Sequence, residues 1–217
     1  TACSSAANAF ILGANLLRSG RFKQVVVGGT ECLSRFHFNG FRSLMILDGE
    51  PCRPFDATRA GLNLGEGAAF VVLETAEHAA QRGAKAMAQL SGWGNACDAF
   101  HQTASSDDGL GAALAMQQAL KHATVSPFSM MELIVEALET TKEAVGKSNT
   151  NAASDLGVAA LNLKAGLQGA WLNVLINISG IKDQDFVQEY HGKGLELLQR
   201  GSELADSIYQ TILESLS

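Results

Sequence analysis

Thr1-Ala2-Cys3-Ser4-Ser5-Ala6-Ala7 opens an apolar run in which Ala6, Ala7, Phe10, Ile11, Ala14 and Leu17 recur at spacings of three and four before Arg18-Ser19-Gly20 closes the pattern. That periodicity predicts a helix whose first turn carries Cys3. Two readings of the cysteine follow. The free amides and positive dipole end of a first turn suit a nucleophilic thiol, and small neighbours leave room for a carbonyl to approach. Equally, Cys3 is a small structural residue packed among alanines, as free cysteines often are.

Working outward, Gln24-Val25-Val26-Val27 followed by Gly28-Gly29-Thr30 reads as a short buried strand of parallel type ending in a tight turn. Phe36 to Leu47 reads as loop and short helix, and the prolines of Pro51-Cys52-Arg53-Pro54-Phe55-Asp56 favour an extended, turn-rich piece. Gly61, Gly65 and Gly67 lead into a second buried strand, Ala68 to Glu74. These glycines precede a strand, whereas phosphate-binding glycine loops precede a helix. Ala76 to Gly83 is expected as a helix, Ala86 to Trp93 as a third strand, and Gly109 onward as another helix, an α/β alternation.

Of the 22 glycines, 14 precede residue 112, as do all four cysteines, Cys3, Cys32, Cys52 and Cys97. The remainder has one proline, Pro127, and long helical periodicity, so a boundary is expected between about residue 112 and Pro127. A net charge of -6 argues against a nucleic-acid partner. The scattered cysteines form no CxxC pair, which disfavours a zinc site or a disulfide scaffold and fits a reducing cytoplasm. Cys97 and His101 have the spacing of helical metal ligands but are one pair, too few for a metal centre. The longest apolar stretch, Leu156 to Ile178, contains Asn162, Lys164, Gln168, Asn173 and Asn177, so a buried helix is expected rather than a membrane span. The chain begins at Thr1 inside an apparent motif, which suggests further sequence upstream.

Several runs of the first half resemble the central part of a β-ketoacyl-acyl carrier protein synthase. They are Thr1-Ala2-Cys3-Ser4-Ser5-Ala6, Val27-Gly28-Gly29-Thr30-Glu31, Cys52-Arg53-Pro54-Phe55-Asp56 with Arg59-Ala60-Gly61, and Gly65-Glu66-Gly67-Ala68-Ala69. Asp98-Ala99-Phe100-His101-Gln102-Thr103 with Asp108-Gly109 is similar to the opening of that family's second half. The resemblance implies thiolase-like layers over residues 1–114 and makes Cys3 the acyl-accepting nucleophile at the head of a buried helix. It also implies an acyl carrier protein or acyl thioester as partner, and no cofactor. The family stabilises its enolate with two histidines on later loops, yet after Gly109 there is no His-Gly-Thr-Gly-Thr run, and His37, His78, His101 and His122 stand in other contexts, as surface or loop residues.

The second half reads as three helices joined by short turns, an all-α antiparallel bundle. Ser129-Met130-Met131-Glu132 is expected as a capping box starting a helix. Ser148-Asn149-Thr150-Asn151 is a polar turn before a long apolar helix from about Ala152 to Ser179. Asp183 is placed to cap a third helix, whose Tyr190, Gly194, Leu197, Gly201, Leu204 and Ile208 form a narrow seam for close packing. Such stripes serve a core or, alternatively, a homo-oligomer.

Asn149-Thr150-Asn151-Ala152-Ala153-Ser154-Asp155-Leu156-Gly157, continued by Gly169-Ala170-Trp171-Leu172-Asn173 to Asn177, resembles the carboxy-terminal part of formiminotetrahydrofolate cyclodeaminase or methenyltetrahydrofolate cyclohydrolase over residues 115–217. The resemblance implies a tetrahydrofolate derivative as substrate, with Asn151, Asp155, Asn173 and Asn177 lining part of a pocket. Read from the residues alone, Asn151 and Asp155 serve the helix start. Three readings remain: an acyltransferase of ketosynthase type, a folate enzyme, or a joined pair of segments with neither activity.

Overall fold

The computed structural model describes residues 3–101, 104–147, 149 and 153–216. They fall into two compact units, Thr1–Ala88 and Gln89–Ser217. Packing thus groups residues 89–114 with the helices, whereas the sequence reading divided the chain by ancestry at 114/115.

The first unit runs α1 (Ser5–Arg18), β1 (Gln24–Glu31), α2 (Arg35–Ser43), β2 (Gly67–Glu74) and α3 (Ala76–Gln81). Both expected strands form, but they pair antiparallel, with Gln24 opposite Glu74, Val27 opposite Val71 and Glu31 opposite Gly67. Neither is buried on both faces. Side chains alternate across a strand, and α1 covers one side only, where Gly13 lies against Val25, Val27 and Leu73. On the other side Val26, Phe70 and Val72 are 66%, 62% and 55% exposed. An apolar run such as Val25 to Val27 looked like a strand covered on both faces because hydrophobicity alone does not reveal how many layers are present.

The expected third strand, Ala86 to Trp93, does not form. Part of that segment lies flat on a helix of the second unit. Gly92 and Gly94 sit so close to α4 (Leu110–Ala144) that a Cβ on either would collide with the carbonyls of Ala119 and Ala115. The amide of Asn95 donates to Gln118 Oε1 at 2.9 Å.

The second unit is completed by α5 (Ala153–Ile178) and α6 (Gln184–Leu216). The end of α5 meets the first half of α4 through Asn177 and Ala123, while Gly194 and Gly201 of α6 meet Trp171 and Leu167 of α5. The central helix therefore runs opposite to both neighbours. The two glycines of the expected seam are where a Cβ would strike the indole of Trp171 and the side chain of Leu167. Met131, Leu138, Leu167 and Val174 are fully buried, with Ile208 at 1%. Asp183 caps α6 as expected, its Oδ1 accepting from the Phe186 amide at 3.2 Å.

The capping box at Ser129 and Glu132 does not form, because α4 continues through Pro127. Proline removes the amide that would donate to the carbonyl four residues back. Here that carbonyl belongs to Ala123, and it accepts instead from Asn177 Nδ2 at 3.0 Å. The side chain from α5 replaces the missing donor, so the helix is not forced to end. Of the expected polar turn, Ser148, Thr150 and Asn151 lie outside the described residues. Among those described, no helix is long and apolar enough to cross a membrane.

Candidate active site

Cys3 precedes α1 rather than lying within it: the helix starts at Ser5, Ser4 is the N-cap, and Cys3 stands just outside as an exposed residue. The expectation of a buried helix head is corrected at the same point, since only Gly13 and Ala14 of α1 are buried. The Ser4 side chain makes no capping hydrogen bond, and the first turn contains no acidic residue. Asn8 reaches back instead, its Nδ2 donating to the Ser4 carbonyl at 3.0 Å and to Ser4 Oγ at 3.2 Å. No carboxylate of the first turn thus offsets the positive end of the helix beside the thiol.

The base beneath is built for close approach. A Cβ on Gly28 would collide with the Ala69 carbonyl, and one on Gly29 would press on Ala6 in the first turn of α1 at 3.3 Å. The Gly-Gly pair therefore lets β2 and the head of α1 draw in on β1. Glu66 Oε1 accepts from the Leu33 amide at 2.8 Å, tying the segment after β1 to the segment before β2. Ser34 caps α2 by accepting from the His37 amide at 3.2 Å.

Two carboxylates organise the surrounding loops. Asp48 accepts from the amides of Glu50 at 3.0 Å and Ala60 at 2.9 Å and from Arg53 Nη2 at 3.0 Å. Those two amides, then Arg53, hold its pKa down to about 2. Arg53 Nε is buried without a hydrogen-bond partner, so this guanidinium is only partly satisfied. Glu74 accepts from Arg82 Nε at 2.9 Å and Gln24 Nε2 at 3.1 Å and pairs with His78 Nδ1 at 2.9 Å. Arg82, then His78, brings its pKa to about 2. Neither cluster is predicted from the sequence: Glu74 ends β2, while His78 on α3 and Arg82 just past it, four apart, reach back to it.

The histidines take other places. His37 Nδ1 lies 3.2 Å from the Cys32 carbonyl and 3.3 Å from Glu31, and His101 is exposed. His78 and His122 were expected on the surface or in loops, and both are corrected. His78 lies on α3 against Glu74, and His122 is half-buried on α4, edge-to-face with Trp93 at 5.5 Å. Among the described residues, no hydrogen bond or ion pair joins Cys3 to a histidine, and no three potential metal ligands come together.

Of the residues assigned to a folate pocket, Asp155 lies apart from Asn173 and Asn177 along α5. Asn151 lies outside the described residues. Asp155 is exposed in the first turn of α5, while Asn173 and Asn177 are near its far end. At about 1.5 Å per residue, roughly 27 Å of helix separates Asp155 from Asn173. Asn173 Nδ2 donates to the Gly169 carbonyl of its own helix at 2.9 Å, and that of Asn177 serves Ala123.

Two family models match separate parts of the chain. Residues 1–79 match the N-terminal domain of beta-ketoacyl synthase, and residues 94–194 match formiminotransferase-cyclodeaminase. The chain therefore resembles one family in its first part and the other in its second. It is 44% identical to the 3-oxoacyl-(acyl-carrier-protein) synthase 2 of Rhizobium meliloti over 58% of this chain and 32% of that protein. To the enzyme of the same name from Synechocystis sp. it is 34% identical over 83% of this chain and 45% of the relative. The chain thus spans about a third to a half of the curated relatives it matches. A type II PKS acyl-carrier protein in complex with its ketosynthase aligns at a TM-score of 0.54 and 31% identity, covering 58% of this chain and 33% of that one.

Proposed function

We propose that the amino-terminal unit is an acyl acceptor of ketosynthase type, derived from a thiolase-like layered fold, with Cys3 as nucleophile. The observation that carries this is that Cys3 stands directly before a helix start with no acidic residue in its first turn, a turn whose Ala6 lies against Gly29 of β1, inside the segment that matches the ketosynthase family. Cys3 Sγ attacks the carbonyl carbon of a carrier thioester, forming a new C–S bond. The carrier's own C–S bond breaks, and its sulfur leaves as a thiol with the proton that Cys3 gives up. An acyl carrier protein is the proposed donor, since a solved relative is described as a complex with one. The step uses no cofactor. Four free, exposed cysteines support placing the chain in a reducing cytoplasm.

On this reading the 217-residue chain stops at acylation. Condensation with a malonyl unit needs donors for the enolate oxygen, and loss of one oxyanion donor alone costs about a hundred- to a thousandfold in rate. The experiment is incubation with an acyl-acyl carrier protein followed by peptide mass spectrometry. One acyl group on Cys3, abolished by Cys3→Ala, is expected, with no β-ketoacyl product. Turnover to β-ketoacyl product would overturn the single-step reading. Brief iodoacetamide treatment should alkylate Cys3 before Cys32, Cys52 and Cys97; equal labelling would remove the special status of the helix start.

The match over residues 94–194 favours a second reading, cyclodeamination or cyclohydrolysis of a tetrahydrofolate derivative. The separation of Asp155 from Asn173 argues that one chain does not assemble that pocket. Formiminotetrahydrofolate turnover lost on Asp155→Ala would reverse the order of the readings. Self-association through the helices is also proposed, supported by the apolar surface they leave open.

A further inference from the structure

The end of β1 nearest the head of α1 carries a paired carboxylate and imidazole. Gly13 of α1 lies against Val25 and Val27, and Ala6 lies against Gly29, so the strand runs opposite to the helix and presents its odd-numbered residues to it. Side chains alternate along a strand, and β1 stays paired as far as Glu31 opposite Gly67, so Glu31 falls on the same face. At about 3.3 Å per residue it stands roughly 7 Å beyond the contact of Gly29 with Ala6. Cys3 precedes Ala6 by three residues, roughly 5 Å at the rise of a helix. The carboxylate and the thiol are therefore level with one another, at one end of the sheet and on one side of it.

Glu31 holds a histidine. His37, in the first turn of α2, has Nδ1 3.3 Å from Glu31 Oε1 and 3.2 Å from the Cys32 carbonyl. Both of these neighbours accept hydrogen bonds, so Nδ1 carries the hydrogen and donates it; in the neutral ring Nε2 is then the bare lone pair. Glu31 Oε1 also accepts from the Cys32 amide at 3.3 Å, which ties the carboxylate to the end of the strand.

The imidazole is not needed to start its helix, because Ser34 caps α2 through the His37 backbone amide. Among the described residues Nε2 has no hydrogen-bond partner, and the side chain is 43% exposed. The first turn of α1 brings no charge of either sign to this end, and Arg18 lies in its last turn. One ring nitrogen oriented by a carboxylate and the other left open is the arrangement by which an imidazole takes a proton from a nucleophile.

We propose that His37, oriented by Glu31, is the base that takes the proton of Cys3 in acyl transfer. The inference rests on the acyl-acceptor reading above and adds its proton path, with Glu31 as the positioning residue. Cys3 gives its thiol proton to His37 Nε2 as Sγ bonds to the carbonyl carbon of the carrier thioester. When the carrier's C–S bond breaks, the leaving sulfur takes that proton from Nε2, and the ring is neutral again. Thiol and ring are not hydrogen-bonded in this structure; Cys3 is exposed ahead of its helix, and catalytic hydrogen bonds are often long until substrate binds.

Two rates on the full chain test this: acylation of Cys3 by an acyl-acyl carrier protein, followed by peptide mass spectrometry, and alkylation of Cys3 by iodoacetamide. His37→Gln keeps a side-chain N–H for Glu31 but removes the base, so it should slow acylation about a hundredfold with circular dichroism unchanged. Alkylation should slow in the same direction but less, because a thiolate also forms in water without a base. Glu31→Gln should slow both to a smaller extent. Added imidazole should restore much of the acylation rate to His37→Ala and leave the wild-type rate as it is, a rescue that a structural role does not produce. Wild-type rates in His37→Gln would overturn the proposal. Slowing in His37→Gln with no response of His37→Ala to imidazole would make the residue structural and overturn it too. A Cys3 that accepts no acyl group, yet is alkylated more slowly in His37→Gln, would overturn the acyl-acceptor reading and leave the base standing.

Discussion

The two units solve the problem of burial with unequal success. In the helical unit each helix touches the other two, and five large side chains from all three helices lie at 0–1% exposure. In the amino-terminal unit Ala14 and Val27 are the buried apolar residues among those described, and Phe55, Met45 and Phe36 are 99%, 89% and 84% exposed. Three helices can enclose a core among themselves, but a two-stranded sheet has two faces and two outer edges, and one helix covers a single face. The comparison teaches that apolar content does not by itself make a core; the number of layers does.

The sharpest way to break this contrast is truncation. Leu138→Ala removes a fully buried side chain between α4, α5 and α6 and should destabilise the helical unit by about 2–5 kcal/mol. Val26→Ala on the open sheet face should change stability by no more than about 0.5 kcal/mol. Both tryptophans, Trp93 and Trp171, belong to residues 89–217, so urea unfolding followed by fluorescence reads the helical unit, and circular dichroism of the whole chain reads Val26→Ala. Equal effects would erase the distinction.

A smaller effect is expected where a side chain repairs a helix. Asn177→Ala leaves the buried-side carbonyl of Ala123 without its donor and should cost about 1–3 kcal/mol. Pro127→Ala restores a backbone amide to that carbonyl, so Asn177→Ala should cost much less in that background. A double-mutant cycle measures the coupling. Strict additivity would mean that the proline and the asparagine are unrelated.

Acid should sharpen the comparison further. Asp48 and Glu74 in the first unit both titrate near 2, below their ordinary 3.8 and 4.5. The unfolded chain therefore takes up their protons at higher pH than the folded one. Their stabilisation is present in full above about pH 4.5 and fades as pH falls towards 2. The amino-terminal loops should open first on acidification, as seen by brief proteolysis across pH with fragments mapped by mass spectrometry. Asp183, lowered by Lys121, adds a weaker trend of the same sign in the helical unit. Simultaneous cleavage of both units would contradict the order.

The helices were legible in the sequence, down to the seam of Tyr190, Gly194, Leu197, Gly201, Leu204 and Ile208, because a repeat of three and four residues fixes which side is buried. Both strands were legible, but their direction and exposure were not, since no local pattern records what covers a face. Pro127 hid the continuity of α4 because its remedy, Asn177, lies 54 positions from the Ala123 carbonyl it serves. Gly92 passed for a strand residue when its absent side chain was needed against α4. For the candidate site, Cys3 was visible in its motif as the proposed nucleophile, whereas the loop clusters around Asp48 and Glu74 depend on folded geometry. Asp155, Asn173 and Asn177 share a helix, and helical rise alone keeps Asp155 apart from Asn173.

Amide hydrogen exchange across the intact chain at neutral pH tests the inequality of the two units most directly. Protection should be weak in Val25 to Val27 and Val71 to Leu73, where the sheet has one covered face, and strong in Leu172 to Ile176, where exchange needs opening of the helical core. Exchange in the two strands as slow as in Leu172 to Ile176 would contradict the account, because it would require the amino-terminal unit to be closed as firmly as the helices.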